Sequence, residues 1–222
     1  MLKATKFQVP RRFEGRATFG GALWQMLSAG SRKALAYCEK WVQSPERTPG
    51  PLLSGKSGTF KTHLLWATAR ELHARGANKL KNHADNMRTD VERRIGEGSL
   101  QFAHEFQFDM ESWPVFNLVA TDGAEIAHEV RSSIERRNLD EVVARYRQES
   151  SEPSKAALIV DDVEVMKLSD WLHEELYRIF DYRYQQSMPT FVATNLSCEE
   201  LRRHLGDRIA RRILDMTEPF EL

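Results

Sequence analysis

The chain alternates between short apolar runs and longer stretches in which apolar residues recur at helical spacing. AALIV (156–160) is apolar throughout and ends on Asp161-Asp162, the pattern of a strand buried on both faces. PTFVATN (189–195), PVFNLVAT (114–121) and Leu52-Leu53-Ser54 predict three further strands. Between them, Leu23, Met26, Leu27, Leu35, Cys38, Trp41 and Val42 predict a helix over 22–43. Leu64, Leu65, Ala69 and Leu72 predict another over 61–75, with Gly76 in the stop position. Helices are expected over 123–136, 139–147 and 169–185, with Asp140 and Glu141 favourably placed in the first turn of the second. Ser197 and Glu200 have the spacing of a capping box that starts one more helix. Strand and helix in strict alternation predict an α/β domain with a mostly parallel sheet.

Two regions depart from this rhythm. Residues 1–22 are basic and irregular. Residues 78–98 are polar, and over 100–110 the residues Leu100, Phe102, His104, Phe106, Phe108 and Met110 fall on one side of a period of two. That period predicts an exposed strand or hairpin arm.

A length of 222 residues suits one domain of ordinary size, or one with an extension. The 32 basic and 32 acidic residues cancel. No whole-molecule field steers the chain to nucleic acid, so any such contact rests on a local patch. The two cysteines, Cys38 and Cys198, are far apart and make neither a disulfide framework nor a metal quartet, which fits a reducing cytoplasm. No run approaches the ~18 apolar residues of a membrane span, so no membrane is expected among the partners. The N-terminus has charge but no apolar stretch of the kind a signal peptide needs.

The candidate chemistry lies in LLSGKSGTFKTHLL (52–65). A phosphate loop places glycines where backbone N–H groups must turn toward phosphate, lysine against the β/γ charge, and Ser/Thr on Mg²⁺. Here Gly55, Gly58, Lys61 and Thr62 hold those positions between a strand and a helix, but Phe60 stands where the pattern has glycine. Taken alone, the stretch reads equally well as a glycine turn between core elements. LIVDD supplies the second half of a Mg²⁺-ATP site: Asp161 for the metal, Asp162 to orient or deprotonate water. Both motifs in this order, about 100 residues apart, favour the nucleotide site. Thr194-Asn195 ends the next strand, where an amide would meet a γ-phosphate; the plainer reading is an Asx turn. Arg208, Arg211 and Arg212 lie on the last helix, where an arginine would reach a neighbouring subunit's nucleotide or simply form a solvated basic face.

From about Val9 onward, the chain resembles the AAA+ ATPase domain of bacterial DnaC-type helicase loaders and the related IstB transposition helpers. The segments that carry the resemblance are VPRRFEGRATF, GKSGTFKTHLL, LIVDDVEVMKLSDW, YRIFDYRYQQSMPTFVATNLS and EELRRHLGDRIARRIL. The resemblance implies a three-layer P-loop NTPase (AAA+) fold with a mostly parallel five-stranded sheet and no C-terminal lid domain. It divides the chain into an N-terminal extension, 1–45, and an ATPase core, 46–222, with an insertion at 78–112. It implies ATP and Mg²⁺ as cofactors, and homo-oligomers that share nucleotide sites.

By position, the resemblance assigns nucleotide contacts to Gly55, Lys56, Ser57, Gly58, Thr59, Phe60, Lys61, Thr62 and His63, and adenine-side contacts to Arg12 and Phe13. Thr62 and Asp161 serve the metal. Asp162 takes the catalytic acid's place, Asn195 the sensor's, Arg208 the finger's, and Arg212 is a second finger candidate. The implied function is a slow ATP-hydrolysing switch acting on DNA in replication, with single-stranded DNA and a replicative helicase or transposase as partners. Arg131, Arg136, Arg137, Arg145 and Arg147 are candidate DNA contacts, although glutamates interleave them.

Three departures qualify the resemblance. Phe60 crowds the loop and is strained if its φ is positive. The loaders' helicase-binding domain is absent or reduced to some 35 residues, and the 78–112 segment is extra. The alternatives are a transposition helper ATPase, or an interaction module whose phosphate loop Phe60 has closed. A small-molecule kinase is disfavoured, since no arginine-rich lid segment follows Asp161-Asp162.

Overall fold

The computed structural model describes residues 28–43, 49–72, 74, 117–149, 151 and 156–222. Five strands form one sheet: β1 (Gly50–Ser54), β2 (Asn117–Asp122), β3 (Ala156–Asp161), β4 (Thr190–Thr194) and β5 (Thr217–Glu221). Their order across the sheet is β2-β3-β4-β1-β5, and every ladder pair is parallel. The expected "mostly parallel" sheet is therefore parallel throughout. Parallel neighbours need crossovers, and the helices supply them: α1 (Ala29–Gln43), α2 (residues 61–72), α3 (Gly123–Arg136), α4 (Leu139–Arg147), α5 (Asp170–Gln185), α6 (Cys198–Leu205) and α7 (Asp207–Asp215).

The three layers follow from the side-chain period of a strand. Successive residues point to opposite faces, so a strand covered on both sides must be apolar at every position. On one face, Leu52, Leu158, Val160 and Val192 meet Ile126, Val130, Leu172, Leu176, Phe180 and Ile209 of the helices. On the other, Leu53, Ala157, Ile159, Phe191 and Ala193 meet Leu64, Leu65, Leu72 and the α1 residues Ala34, Cys38 and Trp41. The Trp41 ring stands edge-on to Phe191, with centroids 4.6 Å apart. Burial pushes the Cys38 thiol up to about 12, so it acts as a small apolar filler.

The predicted elements match closely where they can be compared. The predicted capping box forms: Ser197 Oγ accepts from the Glu200 N–H at 3.2 Å, and Glu200 accepts from the Ser197 N–H at 2.9 Å. The first helix begins at Ala29 within the described residues, and Arg12, Phe13 and the 78–112 segment lie outside them. The fifth strand had no predicted location. It is TEPFE, a polar segment interrupted by Pro219, at the sheet edge beside β1.

Candidate functional site

Three strand ends build the site. β1, β4 and β3 lie side by side, and each stops at a chemically useful residue: Gly55 after β1, Asn195 after β4, Asp161-Asp162 at the end of β3. The carboxyl edge of a parallel sheet is where ligands of α/β folds sit, because loops there connect strands to helix N-termini.

Residues 55–60 form the loop between β1 and α2. Gly55 and Gly58 have φ of +143° and +88°, conformations that side chains rarely adopt. A Cβ on Gly55 would sit 2.5 Å from the Leu222 carbonyl oxygen, whereas one on Gly58 would meet nothing within 4 Å. The first glycine is thus required by packing and the second keeps open space beside the loop.

Phe60 also has positive φ, +67°. The departure seen in the sequence is therefore a strained one, costing on the order of 1–2 kcal/mol for an L side chain. Its carbonyl accepts the first hydrogen bond of α2, from the Leu64 N–H at 2.9 Å. Its ring leans edge-on against His63 and is 37 % exposed. The ammonium of Lys61 bonds carbonyls of the loop itself. We expect Phe60→Gly to be more stable than Phe60→Ala by about 1 kcal/mol in chemical denaturation, against the usual preference, because only glycine relieves the φ strain. Equal stabilities would show that the loop carries no strain.

Lys61 is 5 % exposed. Its ammonium donates to the carbonyls of Gly55 and Lys56 at 2.7 and 2.8 Å and to Asn195 Oδ1 at 2.9 Å. With the Thr59 hydroxyl a fourth oxygen at 3.5 Å, each of the three N–H donors has a partner within the chain. Burial lowers its pKa, and the carboxylates of Glu164, Asp162 and Asp161 push it back up. The Thr62 hydroxyl donates to Asp161 Oδ1 at 3.1 Å, across 99 residues of sequence. Asp161 is buried, and its Oδ1 also accepts from the Asp162 N–H at 3.1 Å. Asp162 takes the left-handed conformation, φ 47°, which aspartate tolerates.

Lys61 and Asn195, and Thr62 and Asp161, are thus brought into contact. Arg208 and Arg212 are not. Arg208 lies 4.0 Å over the Tyr177 ring and pairs with Glu174 at 3.2 Å. Arg212 pairs with Asp181 at 2.7 Å and lies over Tyr184. Both are docked on α5 of their own chain, away from the contacts of Lys61. Of the arginines considered for DNA, Arg131 bonds the Lys167 carbonyl, Arg145 pairs with Glu129, and Arg147 pairs with Glu149 at 3.0 Å. All three are thus engaged within their own chain, and Arg147, which also bonds the Arg178 carbonyl, is half-buried.

Glu164 was missed. Its Oε2 accepts from the Thr194 hydroxyl at 2.8 Å, and its Oε1 from the Asn195 N–H at 3.0 Å and from the Asn195 side-chain amide. Only its place two residues after Asp162 hinted at this.

The donors and acceptors fit a Mg²⁺-triphosphate: a buried ammonium, turned backbone at glycines, and a hydroxyl beside a carboxylate at a helix start. No group of three or more His, Cys, Asp or Glu side chains disposed for a metal occurs among the described residues, and none of their helices is long and apolar enough to cross a membrane.

The all-parallel five-stranded sheet and its helical layers make a three-layer α/β fold, the fold of the DnaC helicase loader and DnaI structures. The chain is similar to the crystal structure of the DnaC helicase loader, with a TM-score of 0.63 at 17 % identity, covering 96 % of this chain and 99 % of that one. It is also similar to the crystal structure of DnaI, at 0.61 and 20 % identity, covering 96 % and 94 %. The structure of AMPPCP-bound DnaA from Aquifex aeolicus matches at 0.61 and 17 % identity, covering 89 % of this chain and 48 % of that one. No protein-family model matches the sequence, and no curated protein matches it.

Proposed function

We propose that this chain is an ATP-binding, slowly ATP-hydrolysing switch that acts on DNA in replication, in the manner of a helicase loader. One observation carries the reading: Lys61, Thr62, Asp161 and Asn195 converge at three adjacent strand ends although they come from distant parts of the chain. In this reading the loop from Gly55 to Phe60 wraps the phosphates, with Lys56, Ser57 and Thr59 offering backbone and side-chain donors and His63 flanking them. Lys61 leaves the loop carbonyls for the β- and γ-phosphates. Thr62 and Asp161 hold Mg²⁺, which when bound neutralises charge developing on the phosphates. Asp162 orients the attacking water, and Asn195 reports the γ-phosphate. Arg12 and Phe13 take the adenine side.

Slow turnover is part of the proposal. Asp162 is one methylene shorter than glutamate, and Phe60 holds the loop in strain. The rate should fall well below the ~10 s⁻¹ typical of enzymes. A switch needs only a difference in assembly between its ATP and ADP states.

Homo-oligomers complete the site in this reading. Arg208 is exposed, and to reach a neighbour's nucleotide it would leave Tyr177 and Glu174 of its own chain; Arg212 is the second candidate. The solved relatives include DnaA bound to AMPPCP and single-stranded DNA, which supports nucleotide and DNA as ligands to test. A replicative helicase or a transposase is the protein partner proposed, in a cytoplasm that keeps Cys38 and Cys198 as thiols. The test is mass in solution with ATP, ADP or neither, with and without single-stranded DNA. ATP should promote self-association at micromolar protein, and Arg208→Ala should weaken it at least about fivefold, the loss expected for one charged interfacial pair. A mass unmoved by ATP counts against the switch.

The second reading is a non-catalytic interaction module on this scaffold, favoured by the strained φ of Phe60. It requires that calorimetry detect no Mg²⁺-ATP binding.

A further inference from the structure

The contacts of Glu164 determine which way the Asn195 amide faces. A carboxylate only accepts hydrogen bonds and an ammonium only donates them. Asn195 stands between the two: its Nδ2 toward Glu164 Oε1, its Oδ1 toward Lys61 Nζ at 2.9 Å. The opposite orientation would set oxygen against oxygen on one side and N–H against N–H on the other. The amide assignment is therefore fixed by its neighbours. Glu164 is itself fixed, sitting in the short 3₁₀ turn Val163–Val165 and accepting from the Thr194 hydroxyl and the Asn195 main chain.

A terminal phosphate, like a carboxylate, only accepts. To bond it, Asn195 must present nitrogen on the side where Lys61 now meets oxygen. That half-turn takes the Nδ2 donor from Glu164 and leaves the carboxylate facing Oδ1, two acceptors with no proton between them. A diphosphate makes no such demand, because it lacks the group Asn195 would meet. Glu164 also adds negative charge near the terminal phosphate's place. It heads the carboxylates that favour the charged form of Lys61 in the chain without nucleotide.

We propose that Glu164 is a positioning residue that latches Asn195 in a resting orientation and so lowers affinity for nucleoside triphosphate relative to diphosphate. This rests on the nucleotide-binding reading above. Both oxygens of Glu164 are engaged by Thr194 and Asn195, so the role assigned to it is to hold the sensor.

The test variant is Glu164→Gln: with its carbonyl on the Thr194 hydroxyl, its Nε2 takes the place of Oε1, where it can donate to a turned Asn195 and gives up the bond from the Asn195 main-chain N–H whichever nucleotide is bound. Calorimetry with Mg²⁺-AMPPCP should show about tenfold tighter binding, the worth of one hydrogen bond, with ADP changed less than about twofold. In Asn195→Ala, adding Glu164→Gln should no longer change the triphosphate-to-diphosphate ratio. In the nucleotide-free protein, the Asn195 side-chain amide resonance should sit downfield in wild type, as for an N–H₂ bound to carboxylate, and move in Glu164→Gln. Equal shifts for both nucleotides, or a resonance indifferent to Glu164, overturn the latch and leave the nucleotide site standing. Failure of wild type and variant alike to bind either nucleotide overturns both.

Discussion

Replacing Arg183 with methionine should lower the stability of the domain by about 4 kcal/mol, the largest effect we expect of any single change outside the apolar core. Arg183 is fully buried in α5. Its five N–H groups meet five oxygens: Nε donates to the Thr190 hydroxyl at 3.0 Å, Nη1 to the Tyr146 carbonyl and Gln148 Oε1 at 3.2 and 2.8 Å, and Nη2 to the Ala156 and Pro189 carbonyls at 2.9 and 2.6 Å. These partners belong to the end of α4, the start of β3 and the lead into β4. One guanidinium thus ties three connections where the strands begin, at the end of the sheet opposite the loop after β1. Methionine fills similar volume but donates nothing, and each buried acceptor left without its donor costs about 1–3 kcal/mol.

Lysine should not rescue the loss, because three donors on a flexible stem cannot replace a planar five-donor fork. Burial pushes Arg183 down to about 9. A cation whose folded pKa is depressed favours folding as pH rises through that value, and below it both states are charged. The stability difference between wild type and Arg183→Met should therefore be flat from pH 5 to 8. Denaturant titration at constant slope measures it; a loss under about 1 kcal/mol would mean that water replaces the guanidinium at little cost.

Lys61→Met should abolish nucleotide binding while leaving the nucleotide-free protein nearly as stable as wild type. The two outcomes come from one fact: the ammonium is buried, and burial opposes its charge. Without an anion, the acceptors the ammonium leaves, on half-buried Gly55 and on exposed Lys56 and Asn195, are open to water, and an apolar stem of similar length changes stability by no more than about 1 kcal/mol. With a polyanion arriving, the variant faces it with Asp161, Asp162 and Glu164 uncompensated, and affinity should fall at least about 100-fold, as when a buried charge partner is removed. Ligand at about 100 times its dissociation constant stabilises by about 2.7 kcal/mol. That thermal shift with Mg²⁺-ATP should appear in wild type and vanish in Lys61→Met. A shift that survives the substitution would place the nucleotide elsewhere.

Much of the site was legible because its parts are local. Leu158, Ile159 and Val160 had to alternate between two covered faces, so a run of consecutive apolar residues meant a central strand. Gly55, Gly58, Lys61 and Thr62 act within one loop and one helix start, so spacing alone located them. Ser197 and Glu200 are three residues apart and found each other as expected. β5 was not legible in the same way. Its glutamates and Pro219 carry no strand period, and it became a strand because β1 offered an open edge: the Leu222 N–H reaches the Ser54 carbonyl at 2.8 Å.

The order of helices and strands, the two-faced core and the residues of the loop after β1 were set by side-chain periods of two and 3.6 and by contacts a few residues long, which a linear sequence carries directly. The Glu164–Asn195–Lys61 chain, the docking of Arg208 and Arg212 on α5, and the five-bond clasp of Arg183 were decided only by tertiary structure. Each joins polar groups from separate elements, and which of them meet depends on strand order and register rather than on spacing along the chain.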